Sequence, residues 1–307
     1  MRFLAVLNRD GGTLSTMDIE AFAARAGSTL EAAGHSVDFR IVDGSDVVAA
    51  LNEAAAANNV DVVMAGGGDG TVSAAAATLM NGQKALAVLP AGTMNLFARG
   101  LRIPLQLDAA IEAFAGGEVR PVDIATANGR PFVHQFSIGM HSELIRRREA
   151  MNYASRLGKL RASTVAAAAT IARPPRLRLR LILPSAEIEA TVSSLGVSNN
   201  TYAEGHLPVV SKPDGGELGI YISRAHRGGE LARLLLSIAA GRWKRSTAIE
   251  IHRAPQVEIR LIGRARRFQC AIDGELHRLD TETTIVSHPG ALLVLTPRAA
   301  EIAEGQA

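Results

Sequence analysis

Val60-Asp61-Val62-Val63-Met64-Ala65-Gly66-Gly67-Gly68-Asp69-Gly70-Thr71 is the stretch whose reading decides the fold of this chain. Val60 to Ala65 is a short β-branched run of the kind that forms a strand buried on both faces, and glycines follow at 66, 67, 68 and 70. Such a density of glycine allows positive φ and leaves backbone amides unshielded. A helix beginning near Thr71 points its N-terminus at the same place, a construction that attracts phosphate. Asp69, the single acid of the loop, would repel a bare phosphate, so its presence calls for a divalent cation or a polarised water between them.

The segments around this stretch repeat its logic. Pro90-Ala91-Gly92-Thr93-Met94-Asn95 places a second glycine-containing loop one strand later. Upstream, Phe3 to Leu7 reads as a strand ending in the loop Asn8 to Thr13. Apolar residues at Ile19, Phe22, Ala23, Ala26, Leu30 and Ala33 have helical spacing, and Gly34 stops that helix. Val37 to Val42 is a further strand, and helices are predicted over 46–58, 71–80 and 108–115. Strand and helix alternate, which predicts an α/β doubly wound parallel sheet with ligands at the carboxyl ends of its strands. Beyond Arg120 to Ala125 the pattern changes to short alternating strands: Phe132–Ser137, Leu177–Leu183, Glu187–Ser198, Leu218–Ser223, Val257–Ile262, Phe268–Ile272 and Thr284–Ser287. Helices become few there. A mainly antiparallel β domain, a sandwich or incomplete barrel, is expected over 126–307, after an α/β domain over 1–125.

Composition bounds the remaining choices. With 307 residues, 47% hydrophobic and 21% charged, the chain has the make-up of an ordinary globular protein with cores for two domains. One cysteine, Cys270, leaves no internal disulfide framework, which fits a reducing, cytoplasmic setting. The opening MRFLAVLNRD reads as a first strand rather than a signal peptide, and no stretch reaches the length of a membrane span. The net charge of +3 is unevenly placed: between Ser142 and Arg180 there are ten Arg or Lys against Glu143 and Glu149. This basic region, residues 146–180, is either a solvated face or a peripheral docking surface for anionic lipid headgroups. Arg242-Trp243-Lys244-Arg245 adds an aromatic suited to a membrane interface. Nucleic acid is disfavoured, since no stacking aromatics interleave with the arginines. His134, His141 and His206 lack metal-ligand spacing and read as packing or surface residues.

GGGDGT followed at this distance by LPAGTMNLFARGLRIP resembles the catalytic domain of the diacylglycerol kinase family of lipid kinases, which includes sphingosine-kinase-like and soluble bacterial enzymes. GGDGT alone is shared with NAD kinases, whose later Asn-Glu pair is replaced here by a Thr-x-Asn-x-Phe-Ala segment. The resemblance implies an N-terminal domain like that of NAD kinase and phosphofructokinase, with ATP as phosphoryl donor and Mg²⁺. It implies that Asn8, Gly66, Gly67, Gly68, Asp69, Gly70, Thr71, Thr93 and Asn95 line the nucleotide. The chain departs from the family pattern at Ser73-Ala74 and Leu96, where Asn-Glu and Asp are common, which leaves the phosphate contacts of the helix's first turn to backbone amides.

Two further segments match family elements. Ser211-Lys212-Pro213-Asp214-Gly215-Gly216 resembles a segment that holds a structural magnesium in soluble bacterial members, which implies Ser211, Asp214 and Gly216 as ligands; an ordinary Asp-Gly turn explains the same letters. Asp273-Gly274-Glu275 resembles the family's Asp-Gly-Glu. A primary hydroxyl attacks a γ-phosphate poorly unless its proton is accepted, so Glu275 is the expected general base, with Asp273 sharing that task or holding metal, and Asp69 positioning Mg²⁺. A hairpin turn with solvated acids is the plain alternative. The expected activity is ATP-dependent phosphorylation of diacylglycerol or a related lipid at the membrane surface. The alternatives are a sphingoid-base or other alcohol kinase, or a nucleotide-binding regulator without catalysis. A homodimer is compatible with the sequence.

Overall fold

The computed structural model describes residues 1–149, 174–263 and 268–298. Two compact units divide the chain. One is Met1–Ile124 with Lys212–Gly215 and the chain from His288 onward; the other is Ala125–Ser211 with Gly216–Ser287.

The first unit alternates as its sequence predicts: β1 (Arg2–Asn8), α1 (Ile19–Ala32), β2 (Ser36–Val42), α2 (Val47–Ala56), β3 (Val62–Gly67), α3 (Asp69–Leu79), β4 (Ala85–Pro90), α4 (Leu96–Gly100), α5 (Leu107–Ala115) and β5 (Glu118–Ala127). The strands lie in the order β2-β1-β3-β4, all parallel. Every residue of β3 and β4 is buried, which is why both read as unbroken apolar runs rather than alternating ones. Helix α1 starts where the Asp18 side chain accepts the Ala21 N–H at 2.9 Å, and it buries Phe22, Ala26 and Leu30.

The second unit contains β6 (Arg130–Phe132), β7 (Gln135–Gly139), α6 (Met140–Glu149), β8 (Leu177–Leu183), β9 (Ala186–Val192), β10 (Ser194–Ser198), β11 (Leu218–Ser223), α7 (Gly228–Ala239), β12 (Ile249–Ala254), β13 (Gln256–Leu261), β14 (Gln269–Ile272), β15 (Glu275–Arg278) and the start of β16 (Glu282–Thr296). Its strands pair antiparallel, in the order β12-β11-β10-β7-β14-β15 in one sheet and β16-β13-β8-β9 in the other. Phe136, Ile138, Val197 and Ile220 of the first sheet share a buried core with Leu179, Leu181 and Ile259 of the second, which makes the unit a sandwich.

Three expectations need correcting. The run expected as one strand over Glu187–Ser198 is two, β9 and β10, which belong to different sheets and part at Ser193. Thr284–Ser287 is a fragment of the 15-residue β16, whose start pairs with β13 and whose end lies beside β4 at Val294 and Leu86. The chain from His288 therefore belongs with the first unit and not, as the 126–307 boundary supposed, with the second. Helix α7 and strand β12 were not foreseen at all.

Candidate functional site

Three loops meet at the carboxyl end of the parallel sheet. A Cβ on Gly11 would lie 3.1 Å from the Gly67 Cα, and one on Gly92 would lie 2.9 Å from the Gly68 Cα. Gly12, at φ +47°, brings the chain so close to Ala91 that a Cβ would overlap its carbonyl oxygen, while the Thr13 N–H donates to that oxygen at 2.8 Å. Side chains stitch the loops together. The Asn8 Nδ2 donates to the Thr71 Oγ1 at 3.3 Å, and the Asp69 Oδ1 accepts the Leu96 N–H at 3.2 Å. The Asp10 carboxylate accepts the Gly44 N–H at 2.8 Å, tying in a fourth segment that sequence reading had passed over.

The glycine run is used differently from what its letters led one to expect. None of Gly66, Gly67, Gly68 and Gly70 is among the residues with positive φ. Gly66 and Gly67 finish β3 and pair with β4, and they are glycines because of crowding: a Cβ at 66 would sit 2.5 Å from Leu7, and one at 67 would sit 2.5 Å from the Thr71 hydroxyl. Gly68 differs, since a Cβ there would meet nothing within 4 Å. It caps α3, whose first helical bond runs from the Val72 N–H to the Gly68 carbonyl at 3.2 Å. The amides of Asp69, Gly70 and Thr71 precede that ladder at the helix start beside the open space at Gly68, an arrangement of donors suited to an anion. Gly67→Ala should destabilise the unit by about 1–3 kcal/mol through overpacking against Thr71, a shift that thermal unfolding of the purified chain will read.

Asn95 braces the second loop. It adopts φ +50°; its Oδ1 accepts the Gly92 N–H at 2.9 Å, and its Nδ2 donates to the carbonyls of Gly92 at 2.8 Å and Pro90 at 3.2 Å. Thr93 beside it is exposed.

Asp273-Gly274 is a two-residue hairpin turn between β14 and β15 with φ of +46° and +90°, the type I′ geometry that Asp-Gly favours. The Asp273 carboxylate accepts the backbone N–H groups of Val133, His134 and Gln135, each at 2.9 Å. It thereby fixes the turn between β6 and β7. Glu275 is exposed at the start of β15. Two residues on, burial and the nearby Arg130 push the His277 imidazole below its ordinary range, against the opposing pull of Glu275.

The Ser211 hydroxyl donates to the Thr201 carbonyl at 2.9 Å. Asp214 belongs with the first unit, where the Asp123 N–H donates to the Pro213 carbonyl at 2.8 Å, whereas Ser211 and Gly216 belong with the second. Among the described residues no group of three or more His, Cys, Asp and Glu is arranged around a metal position. In the basic region, Arg146 and Arg147 pair with Glu143 at 2.7 and 2.6 Å, and Arg178 and Arg180 pair with Glu189 at 2.5 and 3.3 Å. Arg146 and Arg147 share one carboxylate, so half of that charge is compensated locally, and Arg176 is exposed. The Arg148 side chain, Arg156, Lys159, Arg161 and Arg173 lie outside the described residues.

The second unit holds a cavity of about 380 Å³. Strand alternation explains it. Phe136, Ile138, Leu195, Val197, Ile220 and Ile222 face the core, so the residues between them point the other way. There Ser137, Gly196 and Tyr221 lie side by side across β7, β10 and β11, and the small ones leave room above the sheet. Met140 and Leu144 of α6 and Leu231, Leu234 and Ile238 of α7 also line the space. None of the described lining residues is acidic. A short polar chain runs along one side: the Tyr202 hydroxyl donates to the Gln135 Oε1 at 2.9 Å, and the His141 Nδ1 lies 3.3 Å from the Gln135 Nε2 and 2.7 Å from the Ser137 Oγ. His141 thus lines the cavity. Trp243, expected at a membrane interface, is buried against Tyr221 with ring centroids 5.6 Å apart. Cys270 is buried too, and its thiol is pushed up to about 11, chiefly by desolvation.

Comparison with known proteins agrees with this geometry. Along the whole length, the chain is similar to a diacylglycerol kinase structure from Bacillus anthracis str. Sterne, with a TM-score of 0.70, 20% identity and 97% of each chain covered. A second structure from that strain has a TM-score of 0.77 at 23% identity, covering 97% of this chain and 96% of the other. These likenesses speak for the fold. Proteins named "Probable lipid kinase YegS-like" from Yersinia pestis (strain Pestoides F) and Yersinia pseudotuberculosis serotype O:1b (strain IP 31758) are 38% identical over 91 residues, which is 28% of this chain. The match spans 31% of the length of these curated relatives. The family model for the diacylglycerol kinase catalytic domain matches residues 2–127, the α/β part that carries all three loops. Residues 2–127 are therefore similar to the catalytic domain of the diacylglycerol kinase family.

Proposed function

We propose that the chain is an ATP-dependent lipid kinase that phosphorylates the hydroxyl of a diacylglycerol or a related uncharged long-chain lipid. The observation that carries this reading is an apolar cavity with no acid among its described lining residues, in a chain whose other unit ends its sheet in a phosphate-type cradle. At about 380 Å³ the cavity takes roughly a dozen groups the size of a water molecule or a methylene, which suits one acyl chain rather than two. A sphingoid base would bring an ammonium against described lining residues that include no carboxylate, an unpaired charge that costs several kcal/mol. That favours the neutral acceptor. The tyrosine, glutamine and histidine of the polar chain offer hydrogen bonds to hydroxyl or ester oxygens.

Bound ATP supplies the γ-phosphoryl group, and Mg²⁺ neutralises charge on its oxygens. The residues of this chain bind and orient. Amides of Asp69, Gly70 and Thr71 hold phosphate oxygens, and Gly68 keeps the approach clear. The Asp69 carboxylate, steadied by the Leu96 N–H, is the oxygen donor for the cation. Asn8 and Asn95 act through the loops they brace. Glu275, exposed and at the start of its strand, takes the proton of the attacking hydroxyl. Cytoplasmic working at a membrane surface follows from this substrate class and donor.

Incubation of the purified chain with γ-labelled ATP and Mg²⁺, with dioleoylglycerol micelles, with sphingosine or without lipid, tests the proposal. Label should enter dioleoylglycerol. Label in sphingosine alone would replace the substrate, and nucleotide binding with no transfer would leave a regulator. Gly196→Leu tests the cavity itself: a Cβ at 196 meets nothing within 4 Å and a side chain there fills the open space. Stability should stay unchanged while KM for lipid rises about ten-fold and KM for ATP does not move.

A further inference from the structure

Helix α7 carries apolar residues beyond its buried side. Its inner face is Leu231 and Leu234, which are buried, with Ile238; these three roof the cavity. Its outer face consists of Ala232, Arg233, Leu236, Ala239 and the adjoining Ala240, with Leu235 on the flank. Leu236 is 69% exposed, the highest value among the described large apolar side chains, and Leu235 is 40% exposed. A solvent-facing helix side is ordinarily charged or polar, so an apolar one needs a cover.

Charge says what the cover is. From Arg227 to Arg245 the sequence has five Arg or Lys and a single acid, Glu230. The Glu230 carboxylate turns back on the start of its own helix, where it accepts the His226 N–H at 2.9 Å and the Arg227 N–H at 3.3 Å. Arg233, Arg242 and Lys244 are exposed around the leucines. A row of bare leucines within a basic rim matches the acyl boundary and headgroups of an anionic bilayer, and clashes with the polar surface of a folded protein. Leu235 and Ile238 also line the cavity, so the outer face continues directly into it.

We propose that the outer face of α7, with its rim of Arg227, Arg233, Arg242 and Lys244, is the surface by which the chain docks on an anionic lipid bilayer. It rests on the lipid-kinase reading only for the purpose of docking: a chain taken up beneath α7 passes straight from membrane to cavity. In the basic stretch 146–180, Arg146, Arg147, Arg178 and Arg180 are paired with glutamates.

Co-sedimentation of the full chain, without nucleotide, tests the surface. The probes are vesicles of phosphatidylcholine and vesicles of phosphatidylcholine and phosphatidylglycerol in equal parts. The chain should pellet with the anionic vesicles, and less so as salt rises. Leu236→Asp and the double variant Arg233→Glu, Lys244→Glu should each lower partitioning by at least about ten-fold. Val48→Asp, which changes a residue 55% exposed in α2, should have no effect. Undiminished binding by Leu236→Asp overturns the proposal. So does a wild-type dimer in size-exclusion chromatography that Leu236→Asp dissolves, because a second copy then covers the face. The kinase reading is judged apart: Leu236→Asp should still phosphorylate a short-chain diacylglycerol presented as monomers, and vesicle binding without any lipid phosphorylation would sink the kinase and spare the surface.

Discussion

Asp69→Asn should lower lipid phosphorylation about 10²–10³-fold while leaving thermal unfolding unchanged. The substitution separates the two tasks of this side chain. Asparagine keeps an oxygen that can accept the Leu96 N–H, the 3.2 Å bond that ties α3 to the loop after β4. What it loses is the negative charge, which a loop brace does not need and a cation holder does. Asp69→Ala, by contrast, loses both and should show a lower unfolding temperature as well as lost turnover. Turnover near wild type in the asparagine variant would reduce Asp69 to a brace and remove it from the metal.

The Asp-Gly-Glu turn should divide just as sharply. Glu275→Gln is expected to cut kcat by about 10²–10⁴ with no change in melting, since Glu275 is exposed and its task is to accept a proton. Asp273→Ala is expected to destabilise the second unit by about 3 kcal/mol or more, because three backbone N–H groups at 2.9 Å lose a charged acceptor together. Its activity then falls because the β14–β15 hairpin and the turn before β7 come apart. Denaturation curves and kcat measured on both variants check this. A Glu275→Gln enzyme with normal kcat would pass the role of base to another group.

What the residues disclosed in advance, and what they concealed, follows from how far apart the partners lie in sequence. β3, β4 and the loops after them were legible because each is a local pattern: a buried β-branched run, then glycine, then a helix. The reason for those glycines was not legible, since it is the presence of Thr71 and Leu7 beside them and not a need for positive φ. Asp273 showed its turn but hid its bonds, whose donors are some 140 residues upstream. Most of the cavity's lining was hidden for the same reason, being assembled from Gln135, Gly196, Tyr221 and α7. Helix α7 itself escaped because the leucines at 234, 235 and 236 widen its apolar side and leave only the narrow polar stripe of Glu230, Arg233 and Ser237.

The return of the last strand to the first unit bears on how the protein is made. β4 gains its outer neighbour only at Val294, about two hundred residues after its own synthesis. While the ribosome is still adding the sandwich, the nascent α/β part waits with one flank of its sheet open, a template for unwanted strand addition. Translation must therefore run past Val294 before the amino-terminal part can close.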